Sequence, residues 1–124
     1  KEAGVRAKFL GNTTLHVTDG QTVLLVDGFV SRPGVFDSFV RDRISPDQAI
    51  IKSELDRAGI GKVDALLVGH AHADHALDTP TVARLKGAFV MGNVSYRYVH
   101  EGAGLPVDRD HLFMVPGKRC QASK

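Results

Sequence analysis

The sequence predicts a layered α/β fold, a mixed sheet with flanking helices, and three observations carry that expectation. Short apolar runs of strand length alternate with stretches of helical period, divided by glycine and proline. Asp19-Gly20 stands between two such runs and suits the positive φ that a tight hairpin needs. Ala65, Leu66, Leu67 and Val68 form an unbroken apolar run, the pattern of a strand buried on both faces, as strands of parallel sheets are.

Taken in order, residues 5–10, 14–18 and 22–26 read as strands, so the chain opens as an antiparallel meander. Asp27-Gly28 ends the third strand. Residues 29–44 show neither period clearly and carry Arg32, Pro33, Phe36, Phe39, Arg41 and Arg43. A long irregular connection in a compact domain usually borders a site, so this stretch is expected to be a functional loop. Aromatics at such spacing are more often core, and loop arginines are usually solvated, which keeps those side chains out of the site. Ser45-Pro46-Asp47-Gln48 suits a helix start, with Ser45 as cap, Pro46 in the first turn and Gln48 bonding back. Ile51, Leu55 and Ala58 supply that helix's buried stripe, and Gly59 or Gly61 ends it.

The apolar run over 63–68 then leads straight into Gly69 and a cluster of histidines. Thr79-Pro80 opens a second helix that runs through Lys86 to Gly87. Residues 88–91 read as another strand, and Asn93 caps a third helix that ends at Gly102. Beyond Leu105 the expectation is irregular chain.

With 124 residues, 43% hydrophobic and 24% charged, residues 1–124 fit one globular domain. The net charge of +2 comes from scattered residues without a block of like charge, so no nucleic-acid partner is expected. No run approaches the roughly 18 apolar residues that would cross a bilayer, so no membrane partner is expected either. The single cysteine, Cys120, excludes an internal disulfide and has nothing near it to activate a thiolate. Lys1 in place of Met fits a processed or shortened chain, and the compartment stays open between cytoplasmic and exported after signal removal.

His70-Ala71-His72-Ala73-Asp74-His75 places four metal-binding side chains in six residues at the end of a strand. Imidazole nitrogen and carboxylate oxygen suit zinc and related divalent ions. In extended chain, residues two apart face the same way, so His70 and His72 can share one ion, while Asp74 and His75, adjacent in a tightening turn, can point at a second position. Ala71 and Ala73 leave room for the loop to fold back, and Gly69 permits a sharp exit from the strand. Asp78 could orient a metal-bound histidine through its outer ring N–H, or cap the helix at Thr79-Pro80. His16 reads as structural, and His100 and His111 as surface or capping residues.

The H-x-H-x-D-H pattern after a hydrophobic strand, preceded by a meander ending in Leu25-Val26-Asp27-Gly28, resembles the metallo-β-lactamase superfamily over residues 5–90. The resemblance implies an αββα sandwich of which this chain is the amino-terminal half. It also implies that His70 and His72 bind a first metal, that Asp74 and His75 bind a second, and that Asp27 supports the site from behind. Asp74 would then also help hold the nucleophilic water. Family members bring a further histidine, a bridging aspartate and a last histidine from the second half, and these have no counterpart here.

The function so implied is a zinc-dependent hydrolase, with two ions in the complete protein and manganese or iron as other candidates, that acts on an ester, lactone, amide or phosphoester of a small molecule. The competing reading is a truncated, non-catalytic half-domain that binds metal or a partner chain. Half of a two-sheet sandwich exposes apolar surface, so a homo-oligomer or a complementing second half is the expected partner. A plain metal-binding module without hydrolase ancestry is the third reading, and the match before the histidines speaks against it.

Overall fold

The computed structural model describes residues 4–31 and 45–107, and the backbone of residues 111–114. Most of the loop expected over 29–44, with Arg32, Pro33, Phe36, Phe39, Arg41 and Arg43, and Cys120 lie outside the described residues.

Strands β1 (Arg6–Gly11), β2 (Thr14–Thr18) and β3 (Val23–Val26) form the antiparallel meander. The β2–β3 turn works as its sequence suggests: Gly20 takes φ 96, and Asp19 Oδ1 accepts hydrogen bonds from Gln21 N at 2.8 Å and Thr22 N at 2.6 Å. At the β1–β2 turn Gly11 (φ 102) is followed by Asn12 (φ 51), a residue type that tolerates the left-handed region. Strands β4 (Ala65–Leu67), β5 (Phe89–Asn93) and β6 (His111–Met114) continue the sheet in parallel, so the strand order follows the chain from β1 to β6.

Helix α1 (Gln48–Arg57) connects β3 to β4. The one-turn α2 (Ala73–Ala76) and α3 (Thr79–Lys86) connect β4 to β5, and α4 (Val94–Gly102) precedes β6. Parallel crossovers are right-handed, and successive crossovers that advance in one direction place every helix on the same face of the sheet. The core follows from this. Leu25, Leu66 and Val90 lie side by side in register, each fully buried. They share one cluster with Ile51 and Leu55 of α1, Val82 and Ala83 of α3, and Tyr96 of α4.

The other face is different. Leu15, Val17, Leu24, Val26, Ala65, Leu67, Phe89 and Met91 alternate with the buried row, are only half-buried, and stand outside the core cluster. Among the described residues the strand at 65–67 is therefore covered by helices on one face, where burial on both was expected. None of the described helices is long and apolar enough to cross a membrane.

Three local expectations are corrected. The cap of α1 is Asp47, not Ser45: its Oδ1 accepts from Ala49 N at 2.9 Å and Ile50 N at 3.1 Å, and Pro46 stands before the helix. The helix then ends as expected, with Gly59 at φ 75. Residues 111–114 form a strand where irregular chain was expected, since β5 offers β6 a parallel edge that no local signal reveals. His100 is not a surface residue but fully buried, packed beside Tyr96 with its Nε2 3.2 Å from the Pro106 carbonyl.

The remaining ends match their signals. Gly87 closes α3 at φ 62, and Asn93 caps α4 by accepting from Tyr96 N at 2.8 Å. A Cβ at Gly92 would come within 2.8 Å of the Tyr96 ring, so glycine is required where α4 folds back on β5.

Candidate metal centre

The histidine turn leaves the sheet at the carboxyl end of β4, whose neighbours β3 and β5 both run parallel to it. Val68 N still bonds the Met91 carbonyl at 2.7 Å; the chain then departs at Gly69. His72 is extended (φ −69, ψ 157), and its carbonyl accepts from His75 N and Ala76 N, so α2 begins directly after it. Asp74 and His75 therefore lie in a tight helical turn, as their place in the sequence suggested.

The three imidazoles gather on the outer side of this turn. The His70 and His72 rings meet edge-on at a centroid distance of 4.0 Å, and the His70 and His75 rings at 5.4 Å. The Asp74 carboxylate, 62% exposed, lies 3.5 Å from His75 Nε2. Among the described residues no three His, Cys, Asp or Glu side chains are gathered into a closed metal-holding group. The chemistry of the donors and the closeness of the rings fit a divalent ion, and further ligands would have to come from outside the described residues.

Asp27 lies behind the turn. Its carboxylate is buried, with Oδ1 accepting from Gly69 N at 2.8 Å and Oδ2 standing 2.8 Å from His75 Nδ1. A carboxylate can only accept here, so the ring carries a hydrogen on Nδ1, and Nε2 is the nitrogen that remains for a metal. Asp27 achieves this from φ 45, a left-handed conformation that aspartate tolerates better than most residues. Its N–H still bonds the Leu67 carbonyl at 2.8 Å, which seats it beside β4.

Asp78 fills neither role expected of it. Fully buried, it caps no helix through its side chain. Instead its Oδ2 accepts from Val30 N at 2.9 Å and Ser31 N at 2.6 Å, and its Oδ1 from Ser31 Oγ at 2.8 Å. Burial raises its pKa, and these three hydrogen bonds oppose the rise. Three hydroxyls add bonds that no sequence signal announced: Thr79 Oγ1 donates to the His75 carbonyl at 3.0 Å, Thr13 Oγ1 to the Asp74 carbonyl at 3.1 Å, and Thr14 Oγ1 to the Phe29 carbonyl at 3.1 Å. His16, on β2, is away from the turn; burial together with Lys8 and Arg6 lowers its pKa.

No family model matches the chain. Among curated proteins, it is 39% identical over 64 residues to a UPF0173 metal-dependent hydrolase of Cupriavidus necator, a match covering 52% of this chain and 19% of that protein. It is 42% identical over 62 residues to a protein of the same designation from Cupriavidus taiwanensis, covering 50% of this chain and 18% of that protein. A third, from Christiangramia forsetii, is 28% identical over 103 residues, 83% of this chain and 38% of that protein. The chain thus spans about a fifth of the length of the first two relatives, and what it is similar to is part of proteins named metal-dependent hydrolases.

Proposed function

We propose that this chain carries part of the active site of a metal-dependent hydrolase of the metallo-β-lactamase superfamily, with His70, His72, Asp74 and His75 as metal ligands. The observation that carries the reading is the histidine turn at the carboxyl end of a parallel strand, with the His75 ring held by Asp27 through Nδ1. The names of the relatives support it. The apolar sheet face that no described helix covers supports the accompanying fold proposal: in an αββα sandwich a second sheet would lie there. Zinc is the first candidate metal on donor type, with two ions in the complete protein, and manganese or iron accept the same ligands.

When bound, a divalent ion supplies Lewis acidity toward a carbonyl or phosphoryl oxygen and makes a nucleophile of water near neutral pH. The chain's own contributions are distinct. Asp27 fixes the His75 tautomer and tilt. Gly69, bonded to the same carboxylate, fixes where the turn leaves β4. Asp74, exposed beside His75, is the group that would take a proton from the attacking water. The substrate class so reached is a small-molecule ester, lactone, amide or phosphoester.

The half-domain reading is favoured by one observation, the lack of a closed three-ligand group among the described residues. Turnover separates the two. The purified chain, zinc-loaded or chelator-treated, is assayed on a generic ester, lactone, amide and phosphodiester. The hydrolase reading expects turnover that chelator abolishes, zinc restores, and Asp74→Asn reduces by about a hundredfold or more. Bound zinc without any turnover would support the half-domain.

A further inference from the structure

The segments on either side of the candidate centre exchange aspartates. Asp27, at the exit of β3, gives its carboxylate to the start and end of the histidine turn, at Gly69 N and His75 Nδ1. Asp78, three residues after His75, gives its carboxylate back to the exit of β3, at Val30 N, Ser31 N and Ser31 Oγ. The two bridges run in opposite directions between the same two stretches of chain, residues 27–31 and 69–78. Asp78 is 0% exposed and its carboxylate bonds go to Val30 and Ser31, so it is not counted among the candidate ligands.

Asp27 needs such a brace. On its upstream side β3 and the Asp27 N to Leu67 O bond hold it to the sheet. On its downstream side the chain has left the sheet, and at φ 45 the residue stands in a region where backbone geometry alone does not favour it. The described side-chain bonds that hold residues 28–31 are those from Asp78 and from Thr14 Oγ1 to the Phe29 carbonyl. If residues 28–31 drift, the Asp27 carboxylate turns away from His75 Nδ1. We propose that Asp78 is a positioning residue for the histidine turn, which latches the exit of β3 and so holds Asp27 against the His75 ring. The proposal rests on the metal-centre reading for its functional meaning, though not for its geometry.

The test reads the His75 ring directly, by long-range ¹H–¹⁵N correlation spectra of the ¹⁵N-labelled chain without metal, on the basic side of the imidazole titration. Unmodified protein should show one tautomer, with hydrogen on Nδ1. Asp78→Asn, which keeps shape but removes the charge and an acceptor, should move a major share of His75 to the Nε2–H tautomer. Ser31→Ala, which removes the Oγ bond alone, should give a smaller shift in the same direction. Ile51→Val serves as a control that loosens the core elsewhere and should leave the tautomer alone.

Wild-type tautomer in both Asp78→Asn and Ser31→Ala would overturn the proposal, and if Asp78→Asn does not fold, Ser31→Ala decides. A tautomer shift equal in Ile51→Val would overturn it as well, since general loosening would then suffice. Zinc titration of the same samples separates the two readings. An unmodified chain that binds no zinc counts against the metal centre, while the tautomer still decides the role of Asp78. Where zinc binds, Asp78→Asn should weaken it by roughly 10-fold or more, the range seen when partners behind a ligand are lost.

Discussion

Asp27 combines a costly backbone with a useful side chain. Its left-handed φ stores on the order of 1 kcal/mol, and its carboxylate joins Gly69 N to His75 Nδ1. In Asp27→Asn the amide oxygen can still serve Gly69, and asparagine tolerates the same φ, so stability should change by less than about 1 kcal/mol in urea unfolding. Zinc affinity, measured in parallel, should fall roughly 10- to 100-fold because His75 loses the group that fixes its tautomer. Loss of stability without loss of affinity would show that Asp27 serves the fold alone. The resemblance implied a supporting place for Asp27, but not that the aspartate itself would take the positive φ, which in the Asp19-Gly20 pair falls on the glycine. Asp78 was illegible for a related reason: its partners lie 47 and 48 residues away, and Asp before Thr-Pro imitates a cap. His16 makes a separate prediction. Burial, Lys8 and Arg6 depress its folded pKa below that of the unfolded chain, so the unfolded state binds more protons in that window. Stability should therefore rise as pH rises toward about 6.5 and then level off. In His16→Gln that part of the pH dependence should vanish from thermal melts, and an unchanged profile would assign it to other groups.

At the level of elements, signals that depend on one or two neighbouring residues were readable, and those that depend on distant chain were not. The Asp19-Gly20 hairpin, the Gly87 and Gly59 helix ends and the Asn93 cap are local, and each appears where the residues call for it. The start of α1 shows how two good signals compete. Ser45-Pro46 matches a capping pattern, but Asp47 takes the position, because its carboxylate reaches two of the helix's free N–H groups. Asp47→Ala should cost about 1 kcal/mol, while Ser45→Ala should be within error of unmodified protein by denaturant unfolding. The reverse order would restore Ser45 as the cap. Strand β6 escaped notice because a short edge strand draws its order from the ladder with β5 rather than from its own residues. His100 carries no local sign of burial; its environment is made by the packing of Tyr96 and the chain at Pro106.

For the whole molecule, topology explains what composition could not. The α/β class and the mixed sheet were legible from periodicity, but the one-sided covering comes from three crossovers that all advance the same way. The result is a sheet with a dense helical layer on one side and half-buried Leu15, Val17, Leu24, Val26, Leu67 and Met91 on the other. On this account the purified chain should sediment heavier than one chain at high concentration. Val17→Lys with Leu24→Lys, adjacent across β2 and β3, should return it to single-chain mass with helix content unchanged. A single-chain mass for the unmodified protein would mean the face is not sticky enough to need a second layer. The same topology sets the histidine turn at the open end of the sheet, and its capacity for metal is read by zinc stoichiometry, measured by elemental mass spectrometry after dialysis against excess metal. The unmodified chain should hold near-stoichiometric zinc, and the chain with His70→Ala and His72→Ala combined almost none. Equal zinc in both proteins, or none in the unmodified one, would contradict the metal-centre reading.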